Sequence, residues 1–493
     1  MQYNFQTMAA FYRRVFFWVF AILFLLTAPV AILYSQGYRF NQYQGIFIHS
    51  GSITVKSTPS SPSIYLNGEL QPSGRLDMIN NSTTLNGLRP GTYNIRVTAD
   101  GYGDWEKNVE VHSGVSTEFW NVFLPQKNYS PKELSAEGVQ RYFSSPFGKK
   151  VAYFKKNAEN LEAWSLDMKT NEPTLIFSKP NLEFSTDSLE NAEWDSNEQM
   201  LIAPISSNGQ KDFFVLDSEN VQAPTLLSEM TSLSDLDRAR WSPDNQEAIF
   251  FTAASKDGST QNLYRIDLGT KGVQIVSENV KTYDISGKSI YCLKQSDIIY
   301  KTDLNGSGEK QITFEAIPFS GESQESRLIV YDEDRQVVIS EGGEFFVHNN
   351  GLTETLKKVG DGVLGAQFSD DGKKLLYWNN NEIEVLYLRA WDVQPRRSEN
   401  EEEQIIRFST PIKNVFWYRD YEHIFFSTQN KLKIAELDSR DHRIVFDVWN
   451  YNSENFSSSY DSTNGIFYFL DEIEGKRKFF YLNIPLQTGF FGG

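Results

Sequence analysis

The residues best able to do chemistry are scattered along this chain. Five histidines occur, His49, His112, His348, His423 and His442, and none has a second histidine or a cysteine at metal-ligand spacing. The single cysteine, Cys292, sits in the apolar run SIYCLK and reads as a core residue. One cysteine excludes an intramolecular disulfide and a cysteine-rich zinc module. It also excludes a bacterial lipoprotein anchor, which needs a cysteine just after its signal segment. The run NGSGEK (305–310) has no helical pattern after it, so it reads as a hairpin turn and not a phosphate loop. DEDR (332–335) and SDDGK (369–373) lack calcium-loop spacing and read as turns. No Walker A sequence and no Gly-x-Ser-x-Gly elbow is present. No catalytic, cofactor-binding or metal-binding residue is therefore nominated, and no cofactor is expected. A site built from residues of several repeats stays open, because spacing along the chain does not reveal it.

The elements that would position such residues are β-strands. Aromatics make up 14% of the 493 residues, with 24 Tyr and 36 Phe, and aromatic side chains favour strands. Long Ala/Leu/Lys/Glu helical patterns are missing after residue 40. The net charge is −17 and uneven. Residues 1–40 carry +3, from Arg13, Arg14 and Arg39, residues 41–125 carry −2, and residues 126–493 carry −18. A field of that sign repels phosphate backbones, so nucleic-acid binding is not expected. Its plainest role is to keep a large exported body soluble.

Residues 15–34, VFFWVFAILFLLTAPVAILY, hold no charge over 20 positions. A helix of that length spans about 30 Å, the hydrocarbon thickness of a bilayer. Tyr12, Trp18, Tyr34 and Tyr38 lie at or near its ends, as interfacial anchors do. Arg13 and Arg14 precede the span and only Arg39 closely follows it. The excess of positive charge at the start puts residues 1–14 in the cytoplasm and 35–493 outside. The rival is a cleaved signal peptide, with TAPVA as the cleavage region. A cleavable apolar region is usually about 7–15 residues, shorter than this one.

After a spacer, 35–51, short alternating runs follow: ITVKS, SIYLN, TYNIRVTA, NVEVH and EFWNVFL, broken by Pro59, Pro62 and Asn67-Gly68. Period two with such punctuation predicts a small antiparallel sandwich over 52–125. Pro90-Gly91 is expected to occupy the centre of a type II turn. The order of Thr58-Pro59, Asn67-Gly68, Leu88 with Pro90-Gly91, Tyr93, Gly101-Tyr102 and a closing strand resembles the PEGA domain. The resemblance departs at Ser60-Ser61-Pro62-Ser63, where the name-giving tetrapeptide would stand, and the stretch 71–81 is expected to loop out. It implies an adhesion or scaffolding module of bacterial and archaeal surface proteins, without catalytic residues.

A linker is expected at 126–137. From residue 138 to 488 a unit recurs eight times, near Arg141, Asn191, Arg238, Thr282, Ser326, Gly365, Asn414 and Ser457, at spacings of 39 to 50 residues. Four short strands per unit at such a period are the signature of a β-propeller. WSPD (241–244) and FSDDGKK (368–374) resemble the turns of TolB-like and WD-repeat-like propellers, where the aromatic packs between blades. Eight blades are expected, with seven as the alternative because the Ser326 unit fits poorly. An acidic insertion, 391–408, with Glu399 and Glu401–403, is expected as a solvated loop, the sharper alternative being a contact surface for a basic partner. A short tail, 489–493, ends the all-β order of anchor, sandwich and propeller.

The expectation for function is a non-enzymatic cell-envelope protein, tethered by one span, whose propeller binds or scaffolds an envelope protein or glycan. The alternative is an exported lyase or hydrolase with its site in the propeller channel. Oligomeric state and ligand stay open at this point.

Overall fold

The computed structural model describes residues 4–35, 38–41, 46–72, 81–185, 192–207, 210–219, 224–245, 247–255, 258, 260–321 and 325–484. The expected tail and most of the expected 71–81 loop lie outside them. The chain divides into two compact units. One holds residues 1–128, 438–444 and 485–493, and the other holds 129–437 and 445–484.

The first unit opens with the helix Asn4–Ser35, which carries Pro29 inside it. Its segment Phe11–Ser35 is long and apolar enough to cross a membrane, with none of its best apolar window buried against protein. Within the expected spacer, Tyr38–Asn41 pairs antiparallel with Ile46–His49. The sandwich follows as two sheets. Gly51–Thr58 lies between Thr83–Leu88 and Ser116–Phe123, antiparallel to the first and parallel to the second. Facing them, Ser63–Leu66 and Gly91–Thr98 form the middle of a four-stranded sheet with Glu69–Leu70 and Trp105–Val111 at its edges.

Alternation explains this fold directly. Trp105–Val111 buries every second residue, Trp105, Lys107, Val109 and Val111, and exposes those between. Ile53, Val55, Ile95, Val97, Trp105 and Phe119 are among the core residues, and the Trp105 and Phe119 rings meet edge to face at 5.0 Å. Asn67 and Gly68, both at positive φ, join Leu66 to Glu69 as a two-residue hairpin, the geometry Asn-Gly favours. Pro90-Gly91 departs from expectation. Gly91 sits at φ 153°, opening a strand, whereas a type II turn needs about +80°. That value occurs at Gly101, in the turn closed by Tyr102 N–H donating to Ala99 O at 3.1 Å. Lys107 points inward and is fully buried. Its Nζ donates to the carbonyls of Asp438, Arg440 and His442 at 2.8, 3.0 and 2.8 Å, so residues 438–444 fold with this unit.

The second unit is a β-propeller. Among the described residues it holds eight sheets, spanning 139–180, 183–226, 237–277, 280–311, 326–360, 365–407, 412–450 and 457–483. The unit near Ser326, a poor match as sequence, forms a complete four-stranded sheet. The last sheet gains its fourth strand from Lys132–Glu137, which pairs with Lys476–Asn483. The segment expected as a linker thus holds the strand that closes the ring. Leu134 and Ala136 carry its apolar face, joining Tyr142, Tyr153, Tyr468 and Phe479 in one core. Among the described residues, the buried clusters of this unit join side chains of two neighbouring sheets, as radial packing requires.

The repeated tryptophans link neighbouring blades by hydrogen bonds. Trp194 Nε1–H donates to Phe143 O, Trp241 Nε1–H to Glu193 O and Trp417 Nε1–H to Gln367 O, at 3.1, 2.9 and 3.1 Å. Each bond runs from one blade's first strand to the strand before it in the ring. The Ser-x-Asp turns repeat as well. Ser242 Oγ–H donates to Asp244 at 2.5 Å and Ser369 Oγ–H to Asp371 at 2.8 Å.

Candidate functional site

The first strands of four consecutive blades line a cavity of about 410 Å³. Its walls include Glu193 from the second blade, Arg238 and Arg240 from the third, Tyr283 and Asp284 from the fourth, and Arg327 from the fifth. Phe213, Leu328 and Ile329 add apolar surface. The volume falls in the range of small-ligand sites, about 300–1,000 Å³.

The strand that carries two of the arginines is bulged. Pairing of Asp237–Trp241 with Ala248–Ala254 shifts register between Asp237 and Arg240, and Arg238 takes a left-handed φ of 54°. A bulge adds one residue to a strand and re-aims its side chains, and such strained positions concentrate at binding sites. Arg238 and Arg240, two positions apart on this strand, both line the cavity.

Arg240 is the centre of an ion-pair network. Its Nε donates to Glu193 at 3.0 Å and its Nη1 to Asp284 at 2.9 Å. Both acids are held further by backbone donors, Glu193 by Trp241 N–H at 2.9 Å and Asp284 by Val330 N–H at 2.8 Å. Burial pushes the Arg240 guanidinium down, and the carboxylates of Glu193 and Asp284 more than reverse that. The Tyr283 hydroxyl lies 2.6 Å from Arg238 O and 3.0 Å from Phe250 O, and burial holds its pKa well above the ordinary phenol value.

Arg238 and Arg327 are less well matched. Arg238 Nε lies 3.4 Å from Asp237, but its buried Nη1 has no hydrogen-bond partner. Arg327 Nη2 donates to Leu364 O at 3.1 Å, while its Nε is buried without a partner. Burial first, then the neighbouring Arg238 charge, lowers the Arg327 pKa.

The histidines lie elsewhere. His348 is buried between Gln336 and Glu354, at 2.6 and 3.1 Å. His423 Nδ1 is 2.7 Å from Asp420, which also caps the turn by accepting from Glu422 N–H and His423 N–H. Burial pushes the His423 imidazolium down, and Asp420, Glu436 and Glu422 outweigh it, so its pKa is raised. His442 lies 2.9 Å from Asp441, His112 lies 3.6 Å from Glu110, and His49 contacts Ser113. Among the described residues no group of three or more His, Cys, Asp or Glu is placed to hold a metal ion. Cys292 is buried, and burial pushes its thiol up to about 12.

The acidic insertion is more ordered than a solvated loop. Glu402–Arg407 is the outer strand of its blade. Glu403 and Glu401 pair with Arg397 at 2.9 and 3.3 Å, and Glu402 pairs with Lys357 at 2.8 Å. Glu399 accepts from Leu352 N–H at 2.7 Å. These acids are spent on internal partners, which weakens the case for a basic docking surface.

Sequence reasoning missed the cavity. Its charges come from residues as far apart as Glu193 and Arg327, and they meet only when the ring closes. One signal was present. Aligning the first strands of the repeats puts Glu193, Arg240 and Asp284 in one column and Arg238 and Arg327 two positions earlier. Charge recurring at fixed columns of otherwise apolar strands marks a shared wall.

Residues 50–127 match the family model of the PEGA domain. Several solved structures are similar to the chain at low identity. A prolyl endopeptidase is 11% identical at a TM-score of 0.41, covering 69% of this chain, and the chain spans 55% of that protein. The Sqt1 protein of Saccharomyces cerevisiae is 12% identical at 0.43, covering 72% of this chain and 97% of that one. An oligogalacturonate lyase of Vibrio parahaemolyticus is 9% identical at 0.40, covering 73% and 97%. No curated protein matches the chain in sequence.

Proposed function

We propose that this is a membrane-tethered, extracytoplasmic binding protein that does not turn over its ligand. The observation carrying this reading is the ligand-sized cavity whose acids are committed. Glu193 and Asp284 are both locked to Arg240 and to backbone donors, and Tyr283 is held to carbonyls. Each acid is thus engaged by a guanidinium and a backbone donor, whereas general acid–base catalysis asks for a group within reach of a substrate proton. The apolar helix is read as a retained anchor, with Arg13 and Arg14 on the cytoplasmic side. The PEGA-type sandwich fits an extracytoplasmic body. The propeller would then recognise an envelope protein or glycan.

Crosslinking in intact cells, followed by mass spectrometry of what is attached to the propeller, tests this. A recurrent envelope protein or glycan is the expected result. Absence of any partner, with breakdown of a cell-wall glycan by the purified chain, would overturn it.

A further inference from the structure

The cavity carries more positive charge than its own acids use. Its lining holds three guanidinium groups, Arg238, Arg240 and Arg327, against two carboxylates, Glu193 and Asp284, and Arg240 binds both carboxylates. Arg327 has no acidic partner among the described residues, and its Nε is buried without a hydrogen bond. Arg238 shares Asp237 at 3.4 Å and leaves Nη1 unbonded. A buried, unbonded guanidinium nitrogen is costly, and two like charges facing one cavity add to that cost. Strained backbone and unsatisfied buried polar groups recur at functional sites. The left-handed Arg238 backbone is a second, independent cost at the same place.

Resting on the binding-protein reading, the geometry points to a further assignment: Arg238 and Arg327 form a recognition site for one oxyanion group, a carboxylate, sulfate or phosphate, carried by a small ligand. Guanidinium forks fit such groups with paired hydrogen bonds. Phe213, Leu328 and Ile329 offer apolar surface to the rest of the ligand. The net charge of −17 opposes an incoming anion, so local hydrogen bonds must supply the affinity.

Isothermal titration of the detergent-solubilised full chain tests this, with D-glucuronate, inorganic sulfate and inorganic phosphate as probes. D-Glucose is the uncharged counterpart of glucuronate. At least one oxyanion is expected to bind while glucose does not, and the best binder shows which oxyanion class the site takes. Arg327→Gln and Arg238→Gln should each weaken that binding at least tenfold. Arg327→Met supplies a second readout. If Arg327 is kept for a ligand, the ligand-free variant melts no lower than the parent, because an uncompensated buried charge has been removed. Failure of all three oxyanions to bind, binding unchanged in the Gln variants, or a large fall in melting temperature for Arg327→Met would overturn the assignment. Partner crosslinking without oxyanion binding would sink this inference alone. Conversion of a bound oxyanion to product would support the site and sink the non-enzymatic reading.

Discussion

Lys107 shows how one side chain contradicts a simple pattern. Its strand alternates, and position 107 falls on the inward face where Trp105 and Val109 are apolar. A buried ammonium is tolerated only when its donors are met, and three carbonyls meet them, with Asp438 3.9 Å away. Replacing Lys107 by Ala leaves those carbonyls without their shared donor. The expected loss is about 3 kcal/mol, the scale for breaking one side of a buried charged cluster, read from urea unfolding followed by tryptophan fluorescence. Glu333 makes a pH prediction. Hydrogen bonds from Lys301 and Lys310 hold its pKa down at about 2, below the ordinary 4.5. A depressed carboxylate stabilises the fold fully above the ordinary value and loses that contribution as pH falls toward the folded one. The urea midpoint difference between the parent and Glu333→Gln should therefore shrink between pH 4.5 and about 2. A constant difference across that range would show that the lysine bonds do not set it.

At the scale of elements, local signals were the legible ones. Period-two alternation and Asn-Gly or Ser-x-Asp punctuation act over a few residues, so sandwich strands and repeat turns could be read from the chain. The turn at residues 369–372 shows why its glycine is required. Gly372 has φ 62°, and a Cβ there would collide with the Tyr331 ring of the preceding blade. Gly372→Ala is expected to lower stability by roughly 2 kcal/mol or more, combining a left-handed backbone with overpacking, as thermal unfolding would register. The strand Lys132–Glu137 escaped because only Leu134 and Ala136 mark it, too short an alternation to separate from a linker. The Pro90-Gly91 turn was misplaced for a different reason. Gly91 begins the strand Gly91–Thr98 at φ 153°, far from the value of about 80° that a type II turn needs.

At the scale of the molecule, the features that matter are the ring and the N-terminal apolar helix. Closure depends on the first strand of the propeller unit pairing with its last sheet, so the two ends of the repeat domain are stabilised together. Leu134→Asp puts a charge into the core shared by Tyr142, Tyr153 and Phe479. It should lower the melting temperature sharply and broaden unfolding, since opening the ring exposes two sheet edges. The charged cavity belongs to this scale too, which is why no local motif announced it. Labelling with a membrane-impermeant maleimide asks whether one apolar helix holds an extracytoplasmic binding body, as proposed. Cys292 is 1% exposed and stays silent, whereas Leu352 is 86% exposed and Leu352→Cys offers a reporter on the body. In intact spheroplasts position 352 should label fully and Thr7→Cys only after lysis, and the chain should stay in carbonate-washed membranes. Protection of position 352 until lysis, or release of a chain that lacks its N-terminal segment, would contradict it.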